Sequence, residues 1–107
     1  MAPDIHDPSA DAGPVLSSGP VAYAIVAAIR NENADVRVTD RGSYLRILVR
    51  GECRVSRAAI EAVLKRPFVL PGDLERVMPS FQGRFSVSED GAAWVVGAPP
   101  ESRQGEL

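Results

Sequence analysis

The stretch "VRVTDRGSYLRILVRGECRVS", residues 36–56, decides the fold class that this sequence predicts. Apolar and polar side chains alternate along residues 36–39 and again along residues 44–49, which is typical of strands with one buried face. The alternation returns around Cys53. The stretch therefore predicts three strands that follow each other through short loops and pair antiparallel.

Matching the buried faces predicts how the first two strands pair. A four-residue loop, Asp40–Ser43, would place Val38 opposite Leu45 and Val36 opposite Ile47. Apolar side chains then share one face, and a shift of one residue would turn the arginines into the core. The sequence therefore favours this register.

The second hairpin is predicted around Gly51. A two-residue turn would scramble the buried faces, whereas a three-residue loop over residues 49–51 pairs Ile47 with Cys53. That loop also places Gly51 where a left-handed backbone is needed, which glycine adopts without steric cost. We therefore expect the third strand to pair with the second.

Helices are predicted on both sides of this stretch. Pro20 suits the first turn of a helix, and apolar residues follow at helical spacing as far as Ile29. Ser56 is a good N-cap for a second helix, which Pro67 ends. A third, short helix begins at Pro71.

The last regular segment, "SFQGRFSVSEDGAAWVV", residues 80–96, predicts a hairpin with its turn at Asp90–Gly91 and Val87 opposite Trp94. A short strand near Val15 opens the fold. The predicted order is β-α-β-β-β-α-α-β-β. This is an α+β domain of antiparallel sheet with about three helices packed on a face.

Composition predicts one domain with a tail at each end. Residues 1–13 and 98–107 are small, polar and proline-bearing, and we expect them to be a disordered N-terminal tail and a flexible C-terminal tail. The folded domain would then span residues 14–97. At 107 residues the chain is long enough for one modest core.

Charge is distributed unevenly along the chain. The formal net charge is −2, yet residues 36–66 contain eight basic and three acidic residues. A basic segment in an acidic protein suggests a negatively charged protein surface as partner rather than nucleic acid, which usually meets a net basic domain. The competing interpretation is a solvated face with no partner.

The common catalytic constellations are missing from the sequence. There is one histidine, His6, in the predicted tail, and one cysteine, Cys53, on a predicted core strand. No Ser/His/Asp set, metal-ligand cluster or glycine-rich phosphate loop can be assembled. We expect Cys53 to be an inert buried thiol, and we expect a non-catalytic binding module without a cofactor.

No segment reaches the length of a membrane span. The apolar run that begins at Val21 is preceded by acidic residues, which is the wrong flank for a secretory signal. We therefore expect no membrane association and a cytoplasmic protein.

Several motifs resemble one family. "DRGSYLRI", then "GE", then "LKRPFVLPGDLERVMPSFQG", then a hairpin with "ED" at its turn, are similar in order to the effector proteins of soluble diiron multicomponent monooxygenases. These include methane monooxygenase component B and the phenol hydroxylase and toluene monooxygenase effectors. The chain looks closest to the toluene and alkene monooxygenase branch, and the resemblance covers residues 14–97.

The resemblance implies a cofactor-free protein, monomeric when free, that binds a diiron hydroxylase. It would tune substrate access, oxygen activation and the coupling of NADH oxidation to hydroxylation or epoxidation. The chain departs from the family where an Asn-Pro often follows the first helix; here the sequence is "NENAD", and Asn31 or Asn33 could take that place. The alternative function is a stand-alone adaptor or inhibitor domain that binds another acidic protein.

Two arguments select candidate contact residues. If both predicted registers hold, Arg37, Arg46 and Arg54 form one row across three strands on the solvent face. Residues at the ends of elements are the other candidates, because such positions commonly carry contacts. The full set of candidates is Asn31, Asn33, Arg37, Tyr44, Arg46, Arg54, Ser80, Phe81, Gln82 and Gly83.

Overall fold

Seven strands and three helices follow each other in a computed structural model that describes residues 10–97. The elements are β1 Asp11–Ser17, α1 Pro20–Glu32, β2 Arg37–Asp40, β3 Tyr44–Arg50, β4 Glu52–Ser56, α2 Arg57–Leu64, α3 Gly72–Glu75, β5 Ser80–Gln82, β6 Arg84–Val87 and β7 Gly91–Val95. The predicted α+β class and its three helices are confirmed. One strand more than predicted is present, because the segment before the last turn forms two strands.

The strands form two antiparallel sheets rather than one meander. The first sheet has the order β2-β3-β1-β5 and the second has the order β4-β7-β6. Helices α1 and α2 pack against each other, and the core residues of both sheets and all three helices form one cluster. The largest fully buried side chains in it are those of Trp94 and Phe68.

The chain crosses from the first sheet to the second at Gly51. Its φ of 82° confirms the predicted left-handed glycine, but the predicted pairing of Ile47 with Cys53 is wrong, because Cys53 pairs with Trp94. The Gly51 N–H donates to the Ala10 carbonyl oxygen at 2.8 Å instead of closing a hairpin. Gly51 is therefore a corner between sheets.

A second crossing occurs at Gly83, with φ 100°. A Cβ there would lie 2.8 Å from the Cβ of Ala12 and 2.8 Å from the carbonyl oxygen of Val95, so no side chain fits. The strand that the sequence predicted as continuous is broken at this residue. Its first half, β5, pairs with β1, and its second half, β6, pairs with β7.

The β2–β3 hairpin is tighter than predicted. Val38 lies opposite Ile47 rather than Leu45, a shift of two residues. The Arg41 N–H donates to the Tyr44 carbonyl oxygen at 2.9 Å, which leaves a shorter loop than the predicted one. The buried face is unchanged because strand side chains alternate with a period of two.

The β6–β7 hairpin is shifted in the same way. Val87 lies opposite Ala92 instead of Trp94. Gly91 is not the turn residue: a Cβ on it would lie 2.9 Å from a carbonyl oxygen of β4, so this glycine serves a close approach of two strands. The turn is therefore one residue earlier, at Glu89–Asp90.

The folded domain begins earlier than predicted. Strand β1 starts at Asp11, and Ala12 is fully buried, so the end of the predicted N-terminal tail belongs to the first sheet. Pairing with β3 on one side and β5 on the other satisfies its backbone groups. The remaining tail predictions fall on residues 1–9 and 98–107, which lie outside the described residues.

Two further sequence expectations concern the core and the membrane. The Cys53 thiol is buried, and burial followed by the nearby Glu52 charge raises its pKa to about 12, as expected for an inert thiol. Within residues 10–97 no helix has the length and apolar character to cross a membrane.

Candidate partner-binding face

The solvent side of the first sheet brings half of the candidate residues together. By strand register these residues share the side opposite the core, and we call this surface the four-strand face. Its candidate residues are Arg37 on β2, Tyr44 and Arg46 on β3, and Ser80 and Gln82 on β5.

The predicted row of three arginines does not exist. Arg37 lies opposite Leu48, and Arg46 lies opposite Thr39, because the β2–β3 register differs by two residues. Arg54 is in the second sheet, opposite Ala93. The like-charge repulsion expected of such a row is therefore absent.

A hydrogen-bonded chain of side chains replaces the row. Arg37 Nη2 lies 2.7 Å from Asp11 Oδ1. Gln82 Nε2 donates to the Asp11 carbonyl oxygen at 3.0 Å, and its Oε1 accepts from Arg46 Nη2 at 2.9 Å. Because the sheet order is β2-β3-β1-β5, these contacts tie all four strands together across the face.

Asp11 belongs to this hydrogen-bonded chain although the sequence pattern did not predict it. Its side chain is 1% exposed, whereas that of Arg37 is 48% exposed. A carboxylate this buried needs a partner charge and hydrogen bonds, and it fixes the arginine that provides them. No local signal marked Asp11, because β1 has the sequence "DAGPVLS" and shows no alternation of polar and apolar side chains.

The face has an excess of positive charge. Arg46 and Arg50 are exposed on β3, and the charge of Arg37 is offset by Asp11. Tyr44, 38% exposed, adds an amphipathic ring. A cleft beside this face is lined by Asp35, Val36, Arg37 and Arg50. These groups can bind carboxylates bidentately, and they offer no nucleophile or general base.

Phe81 is on β5 and Gly83 follows that strand, but strand alternation turns the Phe81 side chain to the side opposite Ser80 and Gln82. Phe81 is 44% exposed, and its ring centroid lies 5.4 Å from that of Phe85, which stacks at 5.4 Å on buried Trp94. Its ring contacts Phe85 and remains partly exposed, so its exposed apolar area lies at the β5 edge of the sheet and not on the four-strand face.

Asn33 has an internal structural contact. Its Nδ2 donates to the carbonyl oxygens of Ile29 and Arg54, at 2.8 and 2.7 Å, and its Oδ1 accepts from the Arg54 N–H at 3.1 Å. The adjacent Glu32 carboxylate accepts from the N–H and hydroxyl of Ser56 at 2.6 and 2.8 Å. These hydrogen bonds join the end of α1 to β4 and to the N-cap of α2.

Asn31 and Arg54 lie away from the four-strand face. Asn31 is exposed on the last turn of α1. The guanidinium of Arg54 pairs with Glu52 at 3.4 Å, with both side chains largely exposed. In residues 10–97 no group of three or more His, Cys, Asp or Glu side chains could hold a metal ion.

Comparison with known proteins matches nearly the whole described region. The sequence profile of the MmoB/DmpM family matches residues 10–95. Over 84 residues the chain is 42% identical to the effector subunit of an alkene monooxygenase system from Xanthobacter autotrophicus (strain ATCC BAA-1158 / Py2). That alignment covers 77% of this chain and 82% of the relative.

Two solved structures share the fold. A chain in a phenol hydroxylase–regulatory protein complex superposes with a TM-score of 0.72 at 15% identity, covering 79% of this chain and 97% of that one. The regulatory protein B of soluble methane monooxygenase superposes with a TM-score of 0.67 at 21% identity, covering 100% of this chain and 81% of that one. At these identities the likeness concerns the fold alone.

Proposed function

The chain belongs to the MmoB/DmpM family, and we propose that it is the effector subunit of a multicomponent monooxygenase, which binds a diiron hydroxylase component and performs no catalysis itself. The observation that carries this proposal is the family match over residues 10–95, together with the 42% identity to an alkene monooxygenase effector subunit. The catalytic chemistry would belong to the hydroxylase.

We propose that the four-strand face docks on the hydroxylase. Its side chains are ordered before binding, because Arg37 and Arg46 are linked through Asp11 and Gln82. Preordered groups lose less conformational entropy on association than free ones. Exposed guanidinium groups match partner carboxylates, and the exposed ring of Tyr44 provides an apolar contact.

Without a cofactor, this chain can change the rate of a partner only by binding one state of that partner more tightly than another. We propose that it favours a hydroxylase state in which substrate access, oxygen activation and the coupling of NADH oxidation to hydroxylation or epoxidation are altered. The size of any such shift is limited by the difference in affinity for the two states. We also propose that the chain is monomeric when free.

The direct experiment combines the purified chain with its cognate hydroxylase, the reductase and NADH. We expect the chain alone to be inactive and to raise the amount of oxygenated product per NADH consumed when added to the other components. The same product yield with and without the chain would overturn the proposal. It would favour the alternative, an adaptor or inhibitor domain for another acidic protein, which the basic segment over residues 36–66 also allows.

A further inference from the structure

Two arginines border a small cavity at the corner between α2 and α3, and none of its lining residues belongs to a strand of the four-strand face. The cavity has a volume of about 210 Å³. Its lining residues, which we call the Arg66–Arg76 notch, are Val21, Arg66, Phe68, Asp73, Arg76 and Val77.

The backbone around the Arg66–Arg76 notch is held at both ends. Lys65 ends α2 in the left-handed conformation, and its N–H donates to the Glu61 carbonyl oxygen at 2.7 Å. The Glu61 carboxylate accepts from the Phe68 N–H at 2.8 Å, and the Asp73 carboxylate accepts from the Val69 N–H at 2.8 Å. The corner is thus a built structure rather than a loose loop.

The side chains of Arg66 and Arg76 do not contribute to these hydrogen bonds of the corner. Both are exposed, and neither guanidinium makes a hydrogen bond or ion pair with another residue in the described part of the chain. Asp73 lines the same cavity, but its Oδ2 accepts from the Val69 N–H. The lining therefore has two positive charges and one negative charge, and a single carboxylate would neutralise it.

The size of the cavity limits what can enter it. Sites for cofactors and drug-sized ligands have volumes of about 300–1,000 Å³, so a cavity of about 210 Å³ suits a single side chain. Val21, Phe68 and Val77 provide apolar contacts for methylene groups, and the arginines provide donors for a carboxylate. Val69, 62% exposed in the same corner, adds apolar surface.

We propose that the Arg66–Arg76 notch receives an acidic side chain of the hydroxylase component and forms a second docking point. This inference rests on the proposed function. A second anchor at a separate place would fix the orientation of the effector on its partner as well as its affinity, because complementary charges at two points define a register.

The test uses the full chain with Arg66→Glu and Arg76→Glu, singly and together, and Arg84→Glu as the control. Arg84 is an exposed arginine on β6, so the control makes the same charge change in the second sheet. We expect the double variant to bind the cognate hydroxylase about tenfold more weakly or worse. We expect the control to stay within about twofold of the wild type, since an exposed charge away from a contact contributes little.

The outcomes separate this inference from the proposed function. Wild-type affinity in the double variant would overturn the docking role of the Arg66–Arg76 notch and would not affect the proposed function. A wild-type chain that fails to bind the hydroxylase would overturn both. If the double variant loses thermal stability, Arg66→Gln with Arg76→Gln decides instead: reduced affinity with a flatter salt dependence supports the notch, and unchanged affinity overturns it.

Discussion

The two sheets of this domain use their charged side chains in opposite ways. On the four-strand face, Arg37 pairs with a carboxylate that is 1% exposed, and the contacts continue across four strands. On the solvent side of the second sheet, Arg54 pairs with its near neighbour Glu52, and both remain in water. The first arrangement orders an exposed surface, which we propose as the docking surface, whereas the second contributes little to stability or order.

The second sheet instead contributes a large part of the core. Trp94 is fully buried on β7 and stacks on Phe85. Helix α2 is tied to the β6–β7 turn by Arg57, whose N–H and Nε donate to the carbonyl oxygens of Asp90 and Glu89, each at 2.8 Å. We therefore propose docking for the first sheet and packing for the second, and each variant below tests one of these two roles.

The largest expected effect is on the packing side. We expect Trp94→Ala to lower the free energy of unfolding by about 3–5 kcal/mol, because it removes the largest buried side chain and leaves a cavity. Chemical denaturation with far-ultraviolet circular dichroism measures this. Trp94→Phe is the matched control and should cost much less, since the indole Nε1 has no hydrogen-bond partner in the described residues. Equal losses of unfolding free energy in Trp94→Ala and Trp94→Phe would show that filling the core is not the main contribution of Trp94.

The second-largest expected effect comes from a comparison of the Arg37–Asp11 and Arg54–Glu52 ion pairs. We expect Asp11→Asn to lower the free energy of unfolding by about 1.5–3 kcal/mol, because it weakens charge-assisted hydrogen bonds at a buried position. Glu52→Gln, which breaks the exposed pair with Arg54, should cost about 0–1 kcal/mol. Urea unfolding of both variants at neutral pH tests the difference. Similar losses would show that the four-strand face is no more ordered than the second sheet.

Docking is tested by reversing one arginine on each sheet. We expect Arg46→Glu to slow association with the hydroxylase by about tenfold at low ionic strength, since exposed charges steer encounter. Arg54→Glu makes the same change on the second sheet and should leave the rate nearly unchanged. Stopped-flow association at two salt concentrations measures both. A slower rate in Arg54→Glu alone would move the docking surface to the other sheet.

Much of the local structure of the domain could be predicted from the sequence. The start of α1 at Pro20, the N-cap at Ser56 and the left-handed Gly51 were predicted correctly. Each depends on steric or hydrogen-bonding rules that act within a few residues. The side chains that face the core could also be predicted, because strand alternation fixes the buried face even where the predicted register is two residues off.

The division into two sheets could not be read from the sequence. It depends on β1 inserting between β3 and β5, a long-range pairing that local pattern does not encode. Gly91 suggested a turn because it follows Asp90, but its role is a close approach to β4. Asp11 was assigned to the N-terminal tail for the same reason, since its burial depends on a long-range contact with Arg37, two strands away. Five of the ten candidate residues therefore lie together on the four-strand face, in a register that the sequence did not predict, and their role in binding stays a prediction.

The smallest expected effect concerns the corner that supports the Arg66–Arg76 notch. The pKa of Glu61 is lowered, chiefly by the hydrogen bond from the Phe68 N–H and further by Arg57. A carboxylate with a lowered folded-state pKa contributes stability that is fully present above its unfolded pKa and is lost as pH falls through the folded value. We therefore expect stability to fall on acidification below the ordinary glutamate value of 4.5.

Glu61→Gln isolates this contribution, because a glutamine oxygen can still accept from Phe68 but does not titrate. The urea midpoint of the wild type should fall more between pH 6 and pH 3 than that of Glu61→Gln, and Glu75→Gln on α3 should behave like the wild type. Because Glu61→Gln keeps an acceptor for the Phe68 N–H, the corner should keep its shape, and hydroxylase association at neutral pH should stay at the wild-type rate. Parallel loss of stability in wild type and Glu61→Gln would show that the carboxylate charge does not stabilise the corner.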